Sequence, residues 1–99
     1  MSKQLYLTAK FDLNDADDFA PTFAEHARAS RAKAGCLFFY LIRDRETPSQ
    51  FMTMECWDEY HYFEAHTKDA EHDAFLAKIK KVWKHEPEVM EGDLVLGME

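Results

Sequence analysis

Glu55, Trp57 and His66 bring a carboxylate, an indole and an imidazole close together along the chain. The stretch Gln50-Phe51-Met52-Thr53-Met54-Glu55-Cys56-Trp57 reads as a strand, and its side chains alternate between two faces. Phe51, Thr53, Glu55 and Trp57 therefore share one surface. His66 lies one short helix further on. Such a grouping can line a small pocket for a flat, partly apolar molecule. A histidine titrates near neutral pH and can take a proton from a phenol or quinol. An indole can stack on an aromatic ring or simply fill the core. A carboxylate on an inward face needs a partner, or its pKa rises. Glu55 could meet that need by orienting His66, or by bonding to Tyr, Lys or backbone. His66 could equally be a structural histidine at a helix end, where the helix dipole favours its charged form.

Glu71 and His72 open the last helix, where free backbone N–H groups attract a ligand phosphate or carboxylate; they also read as exposed capping residues. His61 and His85 look solvent-facing. A metal site is not expected. His61 and His66 are five apart and fall on different helical faces, His66 and His72 straddle a helix break, and no cysteine or histidine spacing of a structural zinc site occurs. Three glycines make no phosphate loop, and no serine sits in an elbow motif.

The elements that must position these residues follow from periodicity. Lys3 to Leu13 alternates, with Leu5, Leu7, Ala9, Phe11 and Leu13 on one face and Tyr6, Thr8, Lys10 and Asp12 on the other. Asn14 to Asp18 is rich in capping residues. A helix beginning near Asp18 keeps Pro21 in its first turn, where no intrahelical bond is lost. Its inward stripe is Phe19, Phe23, Ala27 and Ser30 or Arg31, and Ala34-Gly35 ends it, with Gly35 as the left-handed cap. Cys36 to Asp44 is a second strand, apolar on both faces, so both faces are expected to be covered. Arg45 to Ser49 turns the chain into the third strand, Gln50 to Trp57. Asp58 caps a short helix to about His66, Thr67-Lys68-Asp69 interrupts it, and a second helix runs from about Ala70 to His85 with Phe75, Leu76, Ile79, Val82 and Trp83 inward. A last strand is expected over Asp93 to Met98. The order β-α-β-β-α-β is the ferredoxin-like arrangement, an α+β fold with an antiparallel sheet and helices on one face. A second copy of the sheet is the simplest cover for the open face, which predicts a homodimer.

Composition narrows the partners. Ninety-nine residues make one domain. A net charge of −7, from 19 acidic and 12 basic residues, argues against nucleic acid. The cluster Lys78, Lys80, Lys81 and Lys84 reads as the solvated face of a helix. No apolar run approaches the roughly 18–20 residues that cross a bilayer. Two cysteines, Cys36 and Cys56, both in apolar strand runs, fit buried thiols in a reducing compartment; they could form a redox pair only if their strands bring them into register. A strand beginning at once after Met1-Ser2 leaves no room for a signal peptide, so a cytoplasmic location is expected.

Gly35-Cys36-Leu37 after the first helix, Glu55-x-Trp57, Glu64-Ala65-His66 and Phe75, in this order and spacing, resemble the antibiotic biosynthesis monooxygenase (ABM) family over nearly the whole chain. The resemblance implies a dimeric α+β barrel. It also implies a mixed chemistry, since some members are cofactor-free oxygenases of aromatic polyketide phenols or quinols, some relatives degrade heme, and one branch processes a phosphorylated autoinducer-2 derivative. Three positions depart from the family pattern. The Pro-His pair that often begins the last helix is replaced by Ala70-Glu71, with His72 one place later. A frequent second-strand tyrosine corresponds to Phe39, and Tyr40 beside it faces the other way. The first-strand asparagine of the heme-degrading branch corresponds to Thr8, which argues against heme.

The reading that joins residues and resemblance is a cofactor-independent monooxygenase, without metal or organic cofactor, acting on a small aromatic, quinol or enol substrate. His66 and Glu55 are its catalytic residues, with His66 taking the proton. Trp57, Phe51, Phe75 and His72 bind the substrate, the aromatic residues excluding water and holding the ring flat. A non-oxidative isomerase or ligand-binding protein of the same fold is the alternative, followed by a purely structural dimer.

Overall fold

The computed structural model describes residues 3–97 of the chain. Its elements are β1 (Leu5–Asp12), α1 (Ala16–Arg31), β2 (Cys36–Arg43), β3 (Gln50–Trp57), α2 (Tyr60–Lys68), α3 (Ala70–Ile79) and β4 (Glu88–Gly92). The four strands form one antiparallel sheet in the order β2-β3-β1-β4. This is the ferredoxin-like topology that the strand and helix pattern predicts. Leu5, Leu7 and Ala9 of β1 and Phe51, Thr53, Glu55 and Trp57 of β3 are buried on the helix-covered face.

Several elements differ in extent from the expectation: α1 ends at Arg31 with Ala32, not Gly35, as its cap, and α2 runs on through Thr67 and Lys68 so that Asp69 alone interrupts the helices. α1 begins at Ala16, behind Asp15 in a left-handed conformation with φ 53°, rather than near Asp18. Asp17 and Asp18 then occupy the first turn, where the helix dipole favours acids. Pro21 consequently lies inside the helix, and its missing N–H costs one bond to the preceding turn. α3 ends at Ile79 rather than His85, because the next residues serve the end of β1. Asn14 N donates to Val82 O at 2.8 Å, Lys84 N donates to Asp12 O at 2.9 Å, and Leu13 bridges Trp83. The four lysines therefore do not share one helix face.

The last strand is the clearest correction. It covers Glu88–Gly92, not Asp93 to Met98, and pairs with β1 from Lys10↔Glu88 to Tyr6↔Gly92. Trp83 anchors the chain beside Leu13, so the strand reaches β1 as soon as Pro87 is passed. Leu94, Val95 and Leu96, the apolar run that suggests a strand, are exposed and outside the sheet; Met98 lies outside the described residues. Asp58 is likewise not the cap of α2, since Glu59 holds that position.

β2 is covered on one face only within this chain. Phe39 is buried against the helices, whereas Tyr40 and Ile42 on the opposite face are 51% and 47% exposed. Met54 and Met90 extend the same outer surface.

Gly35 makes the turn from α1 to β2 with φ +77°. A Cβ added there would run into the Tyr62 ring. Gly35→Ala combines left-handed strain with a clash on α2, and is expected to destabilise the fold by about 2–4 kcal/mol. Urea denaturation measures it; a loss below about half a kcal/mol would mean that Tyr62 moves aside freely.

Candidate active site

The inward face of β3 satisfies its own carboxylate. Thr53 Oγ1 donates to Glu55 Oε2 at 3.2 Å, and Trp57 Nε1 donates to Glu55 Oε1 at 3.1 Å. These donors lie two residues before and after Glu55, where the pleat points all three side chains the same way. Glu55 is 6% exposed. Burial pushes its carboxyl up to about 7, against the two hydrogen bonds and the more distant Lys33, which lower it. The group is thus half-ionised near neutral pH.

His66 lies over the same strand end. Its ring stacks on the fully buried Trp57 at 4.8 Å between centroids and 29° between planes. Trp57 therefore contacts both functional groups, its N–H bound to Glu55 and its face against His66. Glu55 does not reach His66 itself. The imidazole is held by Lys33, whose Nζ lies 2.8 Å from His66 Nδ1. An ammonium only donates, so Nδ1 is the acceptor and Nε2 carries the proton of the neutral ring. Burial, reinforced by the Lys33 charge, pushes the imidazole down to about 3. The neutral ring of His66 therefore offers an N–H at Nε2.

Lys33 follows the end of α1 and is the hub of the helical side. Besides His66 it meets Asp69 Oδ2 at 3.0 Å and Glu71 Oε1 at 2.6 Å. Glu71 Oε2 in turn lies 2.7 Å from Nδ1 of His26, a buried residue of α1. Asp69 ends α2 and caps α3 by accepting from His72 N at 2.9 Å. The start of α3, where the sequence leaves room for an anionic ligand, is thus already served by a carboxylate.

A cavity of about 220 Å³ lies between sheet and helices. Glu55, His66, His72 and Phe75 line it together with His26 and Phe39. Phe51 and Trp57 are not in this lining; Trp57 backs His66, and Phe51 packs on Phe23 at 5.5 Å in the adjoining core. His72 Nδ1 is buried there without a hydrogen-bond partner. His61 and His85 are exposed, away from the cavity. A larger groove, about 460 Å³, opens outside between α1 and α3, and His26 and Phe75 line it too.

His26 and Lys33 are the site residues that sequence reasoning missed. His26 stands on the inward stripe with Phe19, Phe23 and Ala27, and a histidine at such a position is the available signal. Lys33 offers none. The two cysteines are free thiols on neighbouring strands, out of register, with Cys36 opposite Trp57 and Cys56 opposite Phe38. Burial pushes the Cys36 thiol up to about 11.

The family model of antibiotic biosynthesis monooxygenases matches residues 8–78. The chain belongs to this family. Three of the solved structures that share its fold illustrate the likeness. One is an antibiotic biosynthesis monooxygenase, 20% identical, with a TM-score of 0.88 over 93% of this chain and 99% of that one. Rv0793 from Mycobacterium tuberculosis is 13% identical, with a TM-score of 0.87 over 97% and 99%. A point mutant of SnoaB, a cofactor-independent oxygenase from Streptomyces nogalater, is 12% identical, with a TM-score of 0.87 over 98% of each chain. No curated protein matches. No helix among the described residues is long and apolar enough to cross a membrane.

Glu55 supplies a stability test with a definite sign. Its folded pKa, about 7, lies above the ordinary 4.5, so folding favours the protonated form. Stability is undiminished below pH 4.5 and is lost as pH rises to 7, by on the order of 3 kcal/mol once ionisation is complete. Glu55→Gln has no such charge. The variant is expected to gain on the wild type between pH 4.5 and 7, a gain measured by denaturation at a series of pH values. A pH-independent difference would place the carboxyl at its ordinary value.

Proposed function

We propose that this chain is a cofactor-independent monooxygenase that oxidises a small electron-rich aromatic, quinol or enol with dioxygen. The observation that carries the reading is the inner cavity, which brings the buried Glu55 carboxyl, pushed up to about 7, and the His66 imidazole, pushed down by burial and Lys33, to one largely apolar space. Ionised Glu55 takes a proton from the acidic O–H or C–H of the substrate. His66 Nε2–H donates to the substrate oxygen as negative charge develops there. The carbanionic carbon gives electrons to dioxygen, and the two combine as a hydroperoxide. Loss of water then leaves a carbonyl, so that a CH₂ and O₂ become C=O and H₂O. Phe75 lies against the substrate ring, and His72 holds its second oxygen. Trp57 and Phe51 act from behind the wall, keeping His66 and Glu55 in place and water out. A cavity of about 220 Å³ favours one or two fused rings.

In this reading residues 1–99 work as one ABM-type domain in a homodimer. The outer sheet face, with Tyr40, Ile42, Met54 and Met90 exposed, is the surface a second copy covers. Two free thiols support a reducing, cytoplasmic setting.

Oxygen uptake with a panel of quinols and anthrones tests the chemistry. The wild type is expected to consume oxygen, with kcat/KM rising with pH through about 7 as Glu55 ionises. Glu55→Gln and His66→Ala should each slow the reaction by about a hundredfold or more. A silent wild type would remove the oxygenase reading for those substrates. For the interface, Tyr40→Lys with Ile42→Lys should convert a dimer to a monomer in sedimentation; a monomeric wild type, or a double variant that stays dimeric, sinks the assignment of that face.

A further inference from the structure

His26 and Glu71 form a carboxylate–imidazole pair that the reaction outlined above leaves unused. Glu71 Oε2 lies 2.7 Å from His26 Nδ1. An ionised carboxylate only accepts, so Nδ1 carries the proton of the neutral ring and Nε2 presents a lone pair. This is the reverse of His66, where the Lys33 ammonium leaves the proton on Nε2. The two rings lie 5.7 Å apart. One cavity thus holds a histidine set as donor and a histidine set as acceptor.

The pair also spans the wall. The His26 ring lines both the inner cavity and the outer groove, whereas Glu71 lines the groove alone. Nε2 leaves the five-membered ring from nearly the opposite edge to Nδ1, so one nitrogen faces Glu71 and the other faces away from it. Phe75 fixes the ring in place, stacked at 3.7 Å with planes 1° apart. Phe39 meets its edge at 5.7 Å. Among the described residues no hydrogen bond reaches His26 Nε2.

We propose that His26 is a second proton-transfer residue of this cavity, accepting a proton from the bound substrate at Nε2, with Glu71 as the positioning residue that orients the ring and fixes its tautomer. This rests on the cavity being the reaction site. Oxidation of a CH₂ to C=O requires two protons to leave the carbon. Glu55 takes the first, and His26 takes the second as the hydroperoxide O–O bond breaks. Glu55 returns the first proton to the outer oxygen of the peroxide anion formed with dioxygen, giving the hydroperoxide, and the His26 proton goes to the departing hydroxide, giving water. The imidazolium so formed is stabilised by the Glu71 carboxylate. Lys33 and His72 oppose that charge, and burial opposes it most, so the ring is neutral before the proton arrives.

Long-range proton–nitrogen NMR reads the two tautomers directly. His26 should carry its proton on Nδ1 and His66 on Nε2, and anaerobic addition of 1,4-dihydroxynaphthalene should move the His26 Nε2 resonance. Glu71→Ala should mix the His26 tautomers and slow oxygen uptake about tenfold or more, whereas Glu71→Gln, which keeps an acceptor for Nδ1–H, should restore the tautomer. Asp69→Asn touches Lys33 but not His26, and should leave the His26 signal unchanged. His26→Gln should lower oxygen uptake about a hundredfold. A proton on Nε2 of His26, a Nε2 resonance indifferent to the quinol, or wild-type uptake by His26→Gln each overturns the proposal. A wild type that consumes no oxygen overturns the oxygenase reading instead, while the NMR measurements still decide for or against His26.

Discussion

An ammonium group can donate hydrogen bonds but cannot accept one, and that asymmetry orders the site. Lys33 sits among His66, Asp69 and Glu71, three acceptors drawn from both helices that follow β3. Its side chain is 15% exposed, so its charge is only partly screened. Two carboxylates answer that charge, and the third contact is left to a neutral imidazole, whose tautomer is thereby fixed. The same carboxylate that steadies Lys33 also fixes His26 in the opposite tautomer. Lys33 thus sets the tautomer of His66, and Glu71, which it steadies, sets that of His26. Lys33 also ties the end of α1 to α2 and α3 at their junction.

The sheet side works differently. Among the described residues Glu55 has no cation within hydrogen-bond reach, only two neutral donors from its own strand. Neutral donors satisfy the oxygens without offsetting the full cost of dehydrating a charge. The carboxyl is left close to balance between its two forms, which a proton-transfer group requires and a structural ion pair avoids. Helices and sheet therefore bring complementary chemistry to one space, a neutral donor from above and a titrating acid from below.

Strand periodicity makes the sheet side legible. Alternation over β3 places Phe51, Thr53, Glu55 and Trp57 on one face, and β3 spans the expected residues. The approach of His66 to Trp57 also follows from the short connection between β3 and α2. What sequence does not supply is contact across distant elements. Lys33 and Glu71 are 38 positions apart, and no local pattern marks a charged residue after a helix as a hub. His26 escapes notice because an amphipathic stripe is read for its apolar members. The last strand is misplaced because Leu94, Val95 and Leu96 are more apolar than Glu88 to Gly92, whereas backbone pairing with β1 decides where an edge strand lies. The end of α3 is overrun for a similar reason, since Val82 and Trp83 continue its apolar spacing but bond to the end of β1.

Asp69 is at once the residue that ends α2 and the cap of α3. Beside α1, the roof over the cavity is consequently two short rods meeting at a one-residue joint, whereas the floor is a sheet whose register is fixed along β1, β2 and β3. Mutational change in such a molecule is unequal. Replacements near the joint tilt the rods and reshape the chamber, while the floor resists because a slip of one residue inverts every side chain on it. A lineage built on this plan can exchange one preferred molecule for another by remodelling its ceiling, leaving its foundations untouched.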